Sequence, residues 1–391
     1  MPYKSSCRIP DLRVSSETMT ARVIEIDGSP ADTKHLKEAA QLLDAGGLVA
    51  FPTETVYGIG CAVQRDALSR LNTVKGRDAD KHYTLHIGSQ DAYRDYVPRV
   101  SLRAEKLIQQ AWPGPLTLVF ELEPVDLSRQ KSRFDADAAE ALYKNGSIGI
   151  RCPDAATAST LLQFASGPIV APSANLAGEA PATEAGQVAA QLGDRIDLIL
   201  NGGPCKYQKS STVAKVNRQG VAVLRTGVYS ESQVQAMATV TVLFVCTGNT
   251  CRSAMAEGLF QAYLAKKVGC PVDDLEKMGY KIASAGTMDL AGMPASNGAL
   301  TACRLKGVDI GNHASQPLTR SLVETSDLIF CMTQSHCEHV FFLSPEAPSK
   351  CFLMADDLEV PDPIGQPQEY FNRCAGIIEA AVRARIGEFI L

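Results

Sequence analysis

Cys246 and Arg252 stand six positions apart in the run Val242-Leu-Phe-Val-Cys246-Thr247-Gly248-Asn249-Thr250-Cys251-Arg252-Ser253, with a buried-strand pattern before them and a helical pattern after. A loop at such a junction can turn its backbone N–H groups inward at a helix N-terminus, where the dipole also favours negative charge, so a phosphoryl group fits there. The same field favours a thiolate at Cys246, and the planar fork of Arg252 can grip two phosphoryl oxygens. Ser253 can donate a hydrogen bond to the sulfur, Gly248 permits the tight curl, and Asn249 can brace the loop through its own backbone. Displacement at phosphorus also needs an acid for the leaving group. Asp362, in Pro361-Asp362-Pro363-Ile364-Gly365, offers a carboxyl in a rigid loop far along the chain. A C-x5-R spacing alone arises by chance; its place between strand and helix, with Asp-Pro downstream, makes it a strong signal.

A second set of residues suits a nucleotide. The chain has no G-x-x-x-x-G-K-[ST], so ATP would have to be held by scattered groups: Thr53 and Tyr57 in Phe51-Pro-Thr-Glu-Thr-Val-Tyr57, Lys75-Gly-Arg77, Arg151, Ser173-Ala-Asn175, Ser210-Ser211-Thr212 and Arg225-Thr-Gly227. Each alone is weak, since Pro-Thr-Glu-Thr makes a capped turn and Lys-Gly-Arg a solvated corner. Together they supply separated cations, hydroxyls and a Ser-x-Asn able to bond a base or sugar, the inventory of a triphosphate and amino-acid site.

The elements that must carry these groups read as α/β throughout. The spacing of Leu36, Ala39, Ala40 and Leu43 predicts a helix over 33–44, ended by Gly46-Gly47 and followed by a strand over 48–51. Further strands are expected at 84–87, 116–122, 147–151, 169–171, 196–200, 211–216 and 221–224, and helices at 102–111, 155–165 and 184–192. That is a mixed α/β domain with too many close strands for a simple doubly wound sheet. Past a polar stretch, strands at 240–245, 280–284, 327–331 and 351–353 alternate with helices at 253–266, 295–306 and 369–387, which predicts a parallel sheet with helices on both faces. Domains are therefore expected over 20–229 and 239–391, joined by a linker over 230–238.

Residues 239–391 resemble the low-molecular-weight protein phosphatase family through CTGNTCRSAMAEG (246–258), SAGT (284–287), DLIFCMT (327–333) and DPIG (362–365). The resemblance implies a flavodoxin-like sheet and a cysteinyl-phosphate intermediate without a metal or other cofactor, with Cys246 as nucleophile, Arg252 as clamp and Asp362 as general acid and then base. It also implies phosphorylated proteins as partners. Cys251 resembles the family's second loop cysteine, which is either a partner for a reversible disulfide with Cys246 or a small loop residue. Thr250 stands where tyrosine-directed members carry a bulky aliphatic residue, and Ile364-Gly365 where they carry aromatics. Both features resemble the protein-arginine phosphatase branch, so phosphoarginine is favoured over phosphotyrosine.

Residues 20–229 resemble the threonylcarbamoyl-adenylate synthase (YrdC-like) family by the order of the nucleotide motifs. The family makes threonylcarbamoyl-AMP from L-threonine, bicarbonate and ATP, with Mg2+, as the first step of a tRNA position-37 modification, and that step needs no direct tRNA binding. By motif, Lys75, Arg77, Arg151, Ser173, Asn175 and Arg225 would bind ATP, and Thr53, Tyr57 and His86 would lie near threonine. The chain departs from the pattern at Asp78-Ala-Asp-Lys-His82-Tyr83 and at Lys215 in Ser211-Thr-Val-Ala-Lys215. The alternative to an active synthase is a catalytically degenerate nucleotide-sensing module that regulates the phosphatase.

Cys331, His336, Cys337 and His339 form the one Cys/His cluster visible in the sequence. Its spacing matches no common zinc pattern, so it reads as a core-strand cysteine followed by a surface helix, and no metal is expected. His313 reads as a structural hydrogen-bonder. Residues 1–237 hold 26 Lys+Arg and 26 Asp+Glu, against 12 and 17 in residues 238–391, so neither part has the basic stripe of a nucleic-acid binder. No run of about 18 apolar residues predicts a membrane span. The 12 cysteines, mostly single, fit a reducing cytoplasm better than a disulfide framework.

Overall fold

The structure is a computed structural model and describes residues 21–76, 82–217, 220–356 and 358–390. Its contacts divide the chain into two compact units. One runs through Ser89 and adds Lys131–Lys144 and Cys152–Ser210; the other comprises Gln90–Gln130, Asn145–Arg151 and Ser211–Leu391.

In the first unit the strands lie in the order Arg22–Glu25, Leu198–Asn201, Val49–Phe51, Gly58–Ala62, Ile169–Val170, Thr84–His86, mixing parallel and antiparallel pairs. The helix Thr33–Asp44 forms where its apolar spacing predicts, and Leu36, Ala39, Ala40 and Leu43 are its buried face. Gly58–Ala62 is a strand that the sequence pattern hides, because its glycines dilute the apolar alternation. One of them is required: a Cβ at Gly60 would stand 2.9 Å from the Phe51 ring on the neighbouring strand. This antiparallel pair closes residues 52–57 into a tight connection. The helix Arg65–Lys75, also missed, ends at Gly76 in the left-handed region (φ 57°) and delivers Lys75 at its last position.

In the second unit, Leu116–Glu121 pairs antiparallel with Ser147–Arg151 and parallel with Thr212–Asn217, which pairs antiparallel with Gly220–Arg225. A separate four-stranded sheet is parallel throughout, in the order Tyr280–Gly286, Val240–Cys246, Leu328–Cys331, Cys351–Leu353. Alternation along its central strand sends Val242, Phe244 and Cys246 into a core shared with the helices Arg252–Val268 and Gln368–Arg385. Leu243 and Val245 enter a second core under Arg320–Thr325 and Gln334–Leu343. A mixed α/β arrangement with a flavodoxin-like parallel sheet is thus present as expected. Residues 231–238 form a helix, begun by a capping box in which Ser230 and Gln233 satisfy each other's backbone N–H. The helix Leu102–Ala111 meets the parallel sheet within this unit: Lys106 Nζ lies 2.6 Å from Asp327 Oδ2, and Arg103 sits over the Tyr280 ring. No helix among the described residues is long and apolar enough to cross a membrane.

Candidate active sites

The strand Val240–Cys246 ends on Cys246, which is 3% exposed, and the helix Arg252–Val268 begins on Arg252, which is 4% exposed. Between them the loop curls around the sulfur: Ser253 Oγ lies 3.0 Å from Cys246 Sγ, and the Asn249 N–H points at it from 3.3 Å. Asn249 holds the curl. It is fully buried with φ 52°, its Nδ2 donates to Ser253 Oγ (2.9 Å) and Ser284 Oγ (2.7 Å), and its Oδ1 accepts from the Gln316 N–H (2.9 Å). Behind it, Ser284 donates to Glu257, and His313 Nε2 lies 2.6 Å from the Asn249 carbonyl, as a structural hydrogen-bonder should. Burial opposes a charge on His313, but its bonds to Glu257 and Asn249 outweigh that and raise its pKa above the ordinary value. Gly286 of the SAGT run is required by close approach, since a Cβ there would stand 2.7 Å from the Thr247 carbonyl.

The chain brings Asp362 to this loop from 110 residues away: Arg252 donates to Asp362 Oδ2 at 2.5 Å, to Thr247 Oγ1 at 3.3 Å and to the Val360 carbonyl at 3.2 Å. Arg252 is buried while the Asp362 side chain is 41% exposed, so the acid faces outward from the clamp. Thr247 Oγ1 also lies 2.9 Å from His336 Nε2. Burial, and then the charge of Arg252, push the His336 pKa down to about 4, so it is neutral at pH 7. The helix after Cys331 lies at the surface as expected, with Gln334, Ser335 and Glu338 exposed and with His336 and Cys337 on its buried inner face. Thr250 Oγ1 and Cys251 Sγ are 3.8 Å apart, and Cys251 Sγ lies 3.1 Å from Ser296 Oγ. Ile364 is exposed at the rim.

The nucleotide residues fall into two groups, one in each unit. In the first unit, Lys75 donates to the carbonyl of Ser173 and to that of Asn175 (2.6 Å), while Ser173 Oγ donates to Asn175 Oδ1 at 2.5 Å, so the Lys and Ser-x-Asn motifs meet across about a hundred positions. Tyr57 is adjacent: its carbonyl accepts from the Ala174 N–H, and Gly58 bridges to Ser173. The Tyr57 hydroxyl donates to the Gly203 carbonyl at 2.8 Å, and burial pushes its pKa up to about 12. Thr53 Oγ1 donates to the Val56 carbonyl and contacts Thr55, closing the turn. His86 lies on Thr84–His86 beside Ile169, three residues before Pro172. Arg77 lies outside the described residues.

In the second unit, Arg225 grips Ser211 through its carbonyl (2.9 Å) and hydroxyl (3.1 Å), and Ser211 Oγ lies 3.1 Å from Thr117 Oγ1 on the next strand. Thr212 Oγ1 accepts from the N–H groups of Gly227 and Tyr229, fixing the turn after Arg225. Desolvation first, and the neighbouring charge of Arg151 second, hold the Arg225 guanidinium below its ordinary pKa. Two arginines close enough to feel each other's charge form a cationic region. Lys215, one of the departures, turns away to an ion pair with Glu121 at 2.5 Å. The named side chains are cations, hydroxyls and an amide, a donor set that suits Mg2+ only as an ion carried by the triphosphate's own oxygens.

Comparison with known proteins decides the family. The family model described as "Telomere recombination", that of the Sua5, YciO and YrdC proteins, matches residues 41–227, and "Low molecular weight phosphotyrosine protein phosphatase" matches residues 241–388. The threonylcarbamoyl-AMP synthase of Bos taurus is 32% identical over 240 residues, 56% of this chain and 82% of the relative. The chain belongs to the threonylcarbamoyl-AMP synthase family, with a low-molecular-weight protein phosphatase region behind it. The Bacillus subtilis threonylcarbamoyl-AMP synthase is 34% identical over 203 residues, and this chain spans only 56% of its length. For the phosphatase region, a solved low molecular weight protein tyrosine phosphatase from T. tengcongensis is 32% identical, covering 38% of this chain and 99% of that one with a TM-score of 0.35. Cys246, Arg252 and Asp362, singled out by their spacing, do meet at one loop. The bracing set of Ser284, Glu257, Gln316 and His336 was not legible in the sequence, because each is an ordinary polar residue until the fold brings it to the loop.

Proposed function

We propose that the chain is a bifunctional enzyme. Its phosphatase region hydrolyses phosphorylated protein side chains, and its synthase region forms threonylcarbamoyl-AMP from L-threonine, bicarbonate and ATP. The observation that carries the first activity is the convergence of Cys246, Arg252 and Asp362 on one loop. The Cys246 thiolate attacks phosphorus while Arg252 exchanges its bond to Asp362 for the phosphoryl oxygens, and Asp362 gives its proton to the leaving group. Water, deprotonated by the Asp362 carboxylate, then attacks the cysteinyl phosphate; inorganic phosphate leaves and the thiolate returns, accepting a hydrogen bond from Ser253. Thr250, with its hydroxyl on the loop and no aromatic at 364 or 365, supports phosphoarginine as the preferred substrate over phosphotyrosine.

For the second activity, the carboxylate of threonylcarbamate attacks the α-phosphorus of ATP and pyrophosphate leaves. The work is charge neutralisation, which Lys75, Arg77, Arg151 and Arg225 would supply by their motifs, together with the Mg2+ carried by the triphosphate. Thr53, Tyr57 and His86 would shape the threonine end. The test is pyrophosphate release by the purified chain with each substrate omitted in turn. Release that requires both threonine and bicarbonate supports an active synthase, whereas nucleotide binding without turnover supports the sensing module instead.

A further inference from the structure

The cluster that the sequence could not complete is completed by the fold. Cys331 ends one strand of the parallel sheet, Cys351 opens the next, and Cys337 lies on the helix Gln334–Leu343 above them. In the strand register Ile329 faces Cys351 and Cys331 faces Leu353, so the two strand cysteines are offset by two residues and share a face. Their sulfurs are 3.6 Å apart, and all three lie within 4.8 Å of one another. Three separate elements thus aim thiols at one point, which core packing by small apolar residues does not require.

We propose that Cys331, Cys337 and Cys351 form a three-sulfur binding site for a soft monovalent cation of the copper(I) class. Metal–thiolate bonds of about 2.3 Å put the sulfurs of a trigonal site about 4.0 Å apart, within reach of the separations present after small rotamer adjustments. Thiolate ligands select soft metals. Zinc normally takes a fourth ligand, and among the described residues no His, Asp or Glu joins the three sulfurs. His336, next to Cys337, is occupied with Thr247 and Thr333. A water in the fourth position would face Leu243, Val245, Val323 and Val340, which offer it no hydrogen bond.

The ligand count favours the same ion: among the described residues three sulfurs and no fourth donor come together.

The test uses the full chain carrying Cys246→Ser and Cys251→Ser, which removes the phosphate-loop thiols that would also take up the metal. Copper(I) is titrated anaerobically against a chromophoric chelator, and sulfur neighbours are counted by X-ray absorption. The expected result is one copper per chain with three sulfurs at about 2.3 Å. Adding Cys337→Ser or Cys351→Ser should weaken binding by more than the roughly 10- to 100-fold typical of losing an outer-shell partner, while Cys303→Ser, a buried cysteine outside the cluster, should not. Circular dichroism checks that each variant is folded; if one is not, the sulfur count in the parent protein decides alone. Binding that ignores both cysteine substitutions, or a site with two sulfurs or with nitrogen ligands, overturns the proposal.

Discussion

Replacing Asn249 by alanine tests the argument that one side chain holds the phosphate loop in its working shape. Three bonds are lost, but they are not equal. Ser253 keeps its contact with Cys246 and Ser284 keeps Glu257, so both hydroxyls remain satisfied, whereas the Gln316 N–H loses the Asn249 Oδ1 that accepts it at 2.9 Å. The Gln316 N–H is only part-buried, so leaving it unpaired costs the low end, about 1 kcal/mol, of the penalty for a buried donor. Alanine must also hold φ 52°, a left-handed conformation that costs roughly 1 to 2 kcal/mol without asparagine's local hydrogen bonding. The loop should lose about 2 to 3 kcal/mol of support, and even the lower figure is about a 30-fold loss if it appears wholly in the rate. Asn249→Gly removes the second contribution and keeps the first, so it should recover part of the loss. The assay is kcat and KM for p-nitrophenyl phosphate with wild type, Asn249→Ala and Asn249→Gly. A rate for the alanine variant within about twofold of wild type, or a glycine variant worse than alanine, would refute the bracing argument.

Three further outcomes follow from the same geometry. His336 is held neutral with a pKa of about 4 against 6.5 when unperturbed; the unfolded chain therefore binds the extra proton first, and the stabilisation is complete above pH 6.5 and lost as pH falls toward 4. That loss amounts to at most about 3 kcal/mol, so urea unfolding followed by the phosphatase-region signal should show His336→Gln to be less acid-sensitive than wild type. In the synthase region, Arg151→Gln should abolish the ATP-dependent elevation of Tm seen in wild type; an elevation as large as that of wild type would remove Arg151 from the nucleotide site. Thr250→Ile should weaken phosphoarginine hydrolysis by roughly ten- to hundredfold relative to phosphotyrosine; an unchanged ratio in steady-state assays with both peptides would remove the arginine assignment.

The sequence carried most where chemistry and local pattern coincide. Cys246, Arg252 and Asp362 stood out because a nucleophile, a clamp and an acid each sit at a recognisable junction, and the parallel sheet was readable from runs such as Val240–Cys246 in which nearly every residue is apolar. It carried less where long-range contact gives a residue its role. Gly58–Ala62 was hidden by its glycines, of which Gly60 is required by the Phe51 ring, a reason invisible until the hairpin forms. The helix Glu231–Ala238 left a signal that went unread, the capping box of Ser230 and Gln233, because its outer face is polar enough to pass for a connection. Cys351 lies 14 positions beyond Cys337, so no spacing rule joins it to Cys331; only adjacent strands in register do.

The central claim, two independent reactions on one chain, is tested most directly by assaying Cys246→Ser for both. The substitution removes the nucleophile at the end of Val240–Cys246 and touches none of Lys75, Arg151 or Arg225. Phosphate release from phosphorylated peptides should fall to background, while pyrophosphate release that depends on both threonine and bicarbonate should continue at the wild-type rate. Persistent phosphate release would place the phosphatase chemistry elsewhere, and the absence of threonine- and bicarbonate-dependent pyrophosphate from both proteins would contradict the claim that the chain is a synthase.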